Sequence, residues 1–295
     1  MQATELSYKL IKKIKDERFD EDKIHEYALL INIGTRDFQV GVVDLSNNWF
    51  LLLEDYVFPN VSSQQQLIET LDQLFESHPF LKAGFWKQIK VSLKNQSFVQ
   101  VPQALYSEDS LSDYLKFNSQ INKDQEYFIP VSLKSTQAVT VFAIHKDLKG
   151  WIEKTYPGNS PIFIHQSAAL IEGIMDSAKK RTDNPLYIYV DRFKLHALSA
   201  HHGKLIYYNQ FAIKQFADYV KYIMLVMKSL NMDQKTSQVV LWGYIGKNSP
   251  HYLEFYKYIN NVLFGNRPDH FQFSYFFDEV QDHHFFDLYS IHLCG

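Results

Sequence analysis

The chain has 295 residues, 46% of them hydrophobic, enough to bury one large core or two modest ones. Lysine and arginine number 30 against 33 aspartate and glutamate, a formal net charge of −3, which argues against the basic surface of a nucleic-acid binder. Cys294 stands alone, so no internal disulfide forms and a reducing, cytoplasmic setting is expected; no apolar run reaches the ~18 residues of a membrane span.

The polar stretch Met1–Asp22 lacks the apolar core of a signal peptide and reads as a charged N-terminal arm or loose helix. Its four lysines, between Lys9 and Lys15, run into acidic residues and read as a solvated helix face. Tyr27–Asn32 is an apolar run of the kind that forms a buried strand. Gly34 marks a turn, Phe38–Asp44 a second strand, and Trp49–Tyr56 a third. Leu67, Leu71 and Leu74 fall on one face of a helix over Gln64–Glu76, and Gln88–Leu93 is a short strand. The middle is irregular, with an extended piece at Phe98–Leu105, helical turns at Ser110–Lys116, and paired strands at Tyr127–Leu133 and Ala138–Ile144. A helix over Lys146–Thr155, a strand at Pro161–Ile164 and a helix over Ser167–Lys179 follow.

A second unit then repeats the opening order. Leu186–Asp191, Leu195–His201 and Leu205–Phe211 read as three strands. Val220, Ile223, Met224, Met227 and Leu230 form a core stripe on a helix over Lys214–Asn231. Gln238–Trp242 is a strand closed by Gly243, and Pro250 opens a helix expected to reach Phe264. A strand at Phe271–Phe276 and a last helix over His283–Leu293 complete the expectation. The order β-β-β-α-β-α thus occurs twice, from Tyr27 and from Leu186, where a plain Rossmann fold would alternate strand and helix.

Ile31-Asn32-Ile33-Gly34-Thr35, followed by a strand ending in Asp44, resembles the first phosphate signature, Asp-x-Gly-Thr, of actin-like ATPases. Val141–Lys146, then Pro161–Leu170 running into the second unit, is similar to the pilus-assembly actin-like proteins. The resemblance spans Tyr27 to the C-terminus and lies mostly in element order and short motifs. It implies an α/β chain of the actin-like ATPase (ribonuclease H-like) fold, with two duplicated lobes around a cleft. The expected parts are an arm over 1–22, a first lobe over 23–183 with an inserted subdomain at about 98–144, and a second lobe over 184–295.

The resemblance places nucleotide-binding candidates at Asn32, Gly34, Thr35, Asp191, Gly243 and Gly246. Phosphate sites need backbone N–H groups on small residues and carboxylates to support Mg²⁺. Asn32 stands where the family has Asp, and Phe193 replaces the glycine of the second signature that begins at Asp191. In Trp242-Gly243-Tyr244-Ile245-Gly246, the counterpart of the adenosine signature, Tyr244 and Ile245 crowd the turn. No Walker-type loop occurs. The paired histidines at 201–202 and 283–284 lack metal-ligand context beyond His283 with Asp287 four residues on, so no metal is expected. Tyr252, Phe255, Tyr256 and Tyr258 cover more than one helical face, which favours a protein contact.

The expectation is therefore a cytoplasmic, non-hydrolysing actin-like scaffold with a protein partner and no firm cofactor. The alternative is an ATP-binding enzyme, an ATPase or small-molecule kinase using the interlobe cleft, in which Asp44 or Asp191 serves Mg²⁺ or acts as base.

Overall fold

A computed structural model describes residues 7–192, 194–215 and 217–295. Two compact units emerge from it. The first comprises Met1–Ala169, Asp269–Glu279 and Ile291–Gly295; the second comprises Leu170–Pro268 and Val280–Ser290. The expected division fell at 183/184 with no return of the chain, whereas two C-terminal segments join the first unit.

In the first unit the elements run β1 (Lys9–Lys15), β2 (Tyr27–Ile33), β3 (Asp37–Asp44), β4 (Trp49–Val57), α1 (Gln64–Ser77), β5 (Gln88–Leu93), β6 (Phe98–Pro102), α2 (Leu111–Leu115), β7 (Glu126–Ser132), β8 (Ala138–His145), α3 (Lys146–Thr155) and β9 (Ile162–His165). The main sheet has the order β1-β4-β3-β2-β5-β9. β2 is buried at every position because both its faces are covered, which is why it reads as a continuous apolar run. Ser63 caps α1 by accepting from the Gln66 N–H, and Leu67, Leu71, Leu74 and Phe75 bury its inner face. β6, β8 and β7 form a separate three-stranded sheet around Val101, Leu115, Val139, Val141 and Ala143.

α4 (Gln166–Ala178) leads into β10 (Leu186–Val190), β11 (Lys194–His201), β12 (Lys204–Ala212), α5 (Ala217–Ser229), β13 (Gln238–Gly243), α6 (Pro250–Tyr256), β14 (Asn261–Phe264) and α7 (Phe286–Ser290). The sheet order is β12-β11-β10-β13-β14. Leaving out β1, both sheets read third, second, first, fourth, fifth strand, with the first three antiparallel and the last two added in parallel. The duplicated β-β-β-α-β-α order is thus a duplicated sheet topology. Val220, Ile223 and Met227 bury the inner face of α5, with Met224 and Leu230 packed at its margin.

Four local expectations are corrected. Lys9–Lys15 is neither helix nor free arm: it is an edge strand against β4, and Lys12, Lys13 and Lys15 pair with Glu279, Glu54 and Glu21. Met1–Leu6 lies outside the described residues. The helix from Pro250 stops at Tyr256, and Asn261–Phe264 is instead the parallel strand β14. Phe271–Phe276 makes one bridge, Trp49 to Gln272, because Phe271 and Phe273 turn inward onto Phe50, the first edge-on and the second stacked. The last helix shrinks to Phe286–Ser290 and one further 3-10 turn.

Candidate functional site

The first phosphate signature forms the β2–β3 turn. Asn32 is fully buried, and its Nδ2 donates to Gln39 Oε1 at 2.9 Å. Gln39 Nε2 reaches Asp55 Oδ1 at 3.4 Å. Strand register puts Ser92 of β5 beside Asn32 and Asp55 of β4 beside Gln39. Four neighbouring strands therefore carry a continuous row of buried polar groups, Ser92, Asn32, Gln39 and Asp55, across the sheet. Ser92 Oγ has no hydrogen-bond partner among the described residues. Buried polar groups of this kind cost free energy unless paired, so such a row is a feature of a site rather than of a core.

Gly34 donates its N–H to Asp37 O at 2.9 Å and closes the turn. A Cβ at Gly34 would lie 2.0 Å from Asp37 Oδ1, so the missing side chain makes room for that carboxylate. Asp37 Oδ2 in turn sits 2.6 Å from Lys94 Nζ, and both side chains are buried. Lys94 also donates its backbone N–H to Ile33 O at 2.8 Å, fastening the end of β5 to the end of β2. Thr35 is exposed. Asp44 belongs to the opposite end of β3, about 24 Å from Asp37 at the usual strand rise. There it holds the hairpin, accepting from Ser46 N and Asn47 Nδ2. It is too remote to support a metal at the Gly34 turn.

In the second unit, Asp191 follows β10 and is 4% exposed. Its Oδ1 accepts the next residue's N–H at 2.8 Å, and its own N–H donates to Lys194 O at 2.8 Å. Phe193, expected to block a phosphate, lies outside the described residues. The Arg192 guanidinium lies 4.3 Å above the Tyr244 ring.

Gly243 ends β13 with φ of +93°, a conformation costly for any other residue. A Cβ there would lie 2.1 Å from Val190 O. Three successive N–H groups of the turn are spent inside the unit. Gly243 donates to His283 O at 2.8 Å, Tyr244 to Val190 O at 2.7 Å, and Ile245 to Gly243 O at 2.9 Å. Ile245 is buried in the core, and Gly246 alone has open space around it. His283 Nε2 meets Ile245 O at 2.5 Å, while Asp287 accepts from the Tyr189 hydroxyl at 2.5 Å. The two residues that sequence spacing paired are thus engaged separately. Burial lowers the pKa of His283 despite the Ile245 carbonyl, and burial with His283 alongside takes His284 to about 4.

Of the sequence candidates, Asn32, Gly34 and Thr35 share one turn in the first unit; Asp191, Gly243 and Gly246 lie at the adjacent ends of β10 and β13 in the second. Sequence reasoning missed Asp37, Gln39, Asp55, Ser92 and Lys94. The available signal was a polar residue inside or just past an apolar strand run, recurring on neighbouring strands.

A family profile described as "Protein of unknown function (DUF3822)" matches residues 16–262. The chain belongs to the DUF3822 family. No curated protein matches its sequence. A crystal structure from Bacteroides thetaiotaomicron VPI-5482, a protein with actin-like ATPase fold and unknown function, superposes with a TM-score of 0.78 at 22% identity, covering 94% of this chain and 99% of that one. The PilM-PilN type IV pilus biogenesis complex supplies another match, with a TM-score of 0.61 at 11% identity, covering 90% and 97%. The DUF3822 chain therefore has the actin-like ATPase fold, and its likeness to the pilus-assembly branch extends to structure. No helix among its described residues is long and apolar enough to cross a membrane.

Proposed function

We propose that this DUF3822 chain is a scaffold that binds a protein partner and has given up nucleotide turnover. The observation that carries the reading is the buried Lys94–Asp37 pair at the Gly34 turn. In an actin-like ATPase, that turn would present free N–H groups and a carboxylate at strand one to a Mg²⁺-bound phosphate. Here the space beside the glycine is taken by a carboxylate, the nearby cation is bonded to it, and strand one offers a neutral amide. The second signature supports the same reading. Asp191 accepts its own neighbour's N–H, Arg192 stacks on Tyr244, and the Gly243 turn spends three successive donors internally.

A protein partner is supported by Leu253, Tyr256, Tyr258 and Leu263, large apolar side chains exposed on and around α6 and β14. PilM, one of the proteins this chain resembles, was solved as a complex with PilN. A cytoplasmic location completes the proposal, resting on the reduced, buried Cys294.

Phosphate release from MgATP, measured for the native chain and Asp191→Ala, tests the loss of turnover. The expected result is no release above a protein-free control from either. Release that Asp191→Ala removes would restore the ATPase or kinase reading.

A further inference from the structure

We propose that the second unit holds a ligand site separate from its nucleotide signatures. It is a cavity between the α4–β10 loop and the β11–β12 turn, and it binds a small molecule carrying a carboxylate or a phosphate monoester. The proposal is independent of the reading of the nucleotide site.

β10 and β11 present two unlike faces. Leu186, Ile188, Val190, Leu195 and Ala197 face the core that α5 and α6 cover. By strand alternation, Tyr187, Leu198 and Ala200 point the other way. On that side, at the start of β10 and so at the end opposite Asp191, lies a cavity of about 300 Å³, the lower end of the range for small-molecule sites. The residues around it are small where they need to be: Ala178 at the end of α4, Ala200 on β11, and Gly203, where a Cβ would meet nothing within 4 Å. At the ~30 Å³ that a water molecule occupies, there is room for at least about ten non-hydrogen atoms.

The most buried lining residue is Tyr187, 1% exposed. Its ring stacks on Trp242 at 5.9 Å, and Trp242 stacks in turn on Phe286 at 4.6 Å. Its hydroxyl has no hydrogen-bond partner among the described residues, yet the oxygen is not sealed in, so it opens on the cavity. A hydroxyl so deeply set and left unpaired calls for a partner. Burial takes its pKa up to about 12, so at neutral pH it holds a proton to donate.

Arg181 is the second donor. Its Nε and Nη2 hold Asp183 at 2.9 and 2.7 Å, and Nη2 also reaches Gln238, while Nη1 makes no hydrogen bond among the described residues. Asp183, the one carboxylate of the lining, is thereby spent. Lys179 adds a further cation, paired across the exposed helix end with Asp176 at 3.0 Å. An occupant that accepts from a neutral hydroxyl and a guanidinium edge, in surroundings of net positive charge, is an oxyanion.

The β11–β12 turn carries a further mark. A two-residue turn with φ positive at both positions favours Asn-Gly. Here His202 takes φ of +48° ahead of Gly203 at +72°. The costlier residue stands where the turn borders the cavity.

Benzoate and phenyl phosphate, which carry the two oxyanions on a body of this size, are the probes, with benzamide and benzyl alcohol as uncharged counterparts. Titration of the full chain, followed by amide NMR, should move resonances of residues 178–184 and 200–203 for at least one anion. The dissociation constant should be on the order of millimolar, as expected for a ligand of about ten atoms. The tighter anion identifies the class as carboxylate or phosphate ester. Tyr187→Phe removes only an unpartnered oxygen, so it should melt like the native chain and bind at least about tenfold more weakly. Arg181→Gln should weaken binding by a similar factor. The proposal is overturned if neither anion moves those resonances at about 20 mM, well above that constant. Uncharged counterparts that bind as well, or a Tyr187→Phe chain that binds like the native one, also overturn it. So do shifts confined to residues 34–37 or 243–246, which would put the anion at the nucleotide signatures instead.

Discussion

Replacing Lys94 with methionine would remove an ammonium 2.6 Å from a carboxylate that is itself 4% exposed. The stem length is kept, so the loss is chiefly electrostatic. Breaking a buried pair by deleting one partner costs about 3–5 kcal/mol, because the remaining charge is stranded in a poor dielectric. For a unit of this size each kcal/mol is worth roughly 2–4 °C in melting temperature, so the variant should melt about 6–20 °C lower. Adding Asp37→Asn discharges the stranded group and should recover part of the loss, which a double-mutant cycle by urea unfolding would measure as coupling. A Lys94→Met variant that melts within about 1 kcal/mol of the native chain would refute the claim that the pair holds this turn together.

Gly243→Ala should be strongly destabilising, by about 3 kcal/mol or more, since the position has φ of +93° and the new methyl would fall 2.1 Å from Val190 O; soluble yield and melting temperature read this out. Asn32→Asp restores the family carboxylate but buries it against the Gln39 amide, so it should cost about 1–3 kcal/mol, and the loss should be insensitive to Mg²⁺. Glu54, fully buried, is pushed up by burial but pulled further down by His78, with Lys13 and Tyr56 helping, to about 2 from an ordinary 4.5. The unfolded chain therefore binds this proton first on acidification, so the contribution to stability is present above pH 4.5 and is lost as pH falls towards 2. Urea unfolding between pH 6 and pH 3 should lose stability faster in the native chain than in Glu54→Gln.

The strands that sequence alone makes legible are those whose surroundings impose a simple pattern. β2 and β10 are covered on both faces and read as unbroken apolar runs; α1 and α5 bury one stripe each. β1 escaped because its pattern is set by partners far along the chain. Only Ile14 and its neighbourhood are covered, while the lysines answer acids at positions 21, 54 and 279. β14 escaped because Tyr256–Ile259 continues the apolar density of α6 without a proline or glycine to punctuate it. The site was half legible. The turn glycines at 34 and 243 and the acid at 191 could be placed by motif, but what surrounds each could not. Asp37 and Lys94 lie 57 positions apart and meet only because β2 and β5 are parallel neighbours. Likewise the demand for glycine at 243 comes from the carbonyl of Val190 on the adjacent strand.

The account stands most directly on whether nucleotide binds. A thermal-shift titration with ATP and with ADP, each with and without Mg²⁺, decides it, because a ligand at ~100 times its dissociation constant adds about 2.7 kcal/mol to stability. The account predicts an unchanged melting temperature at millimolar nucleotide. A Mg²⁺-dependent rise, abolished by Asp191→Ala, would contradict it.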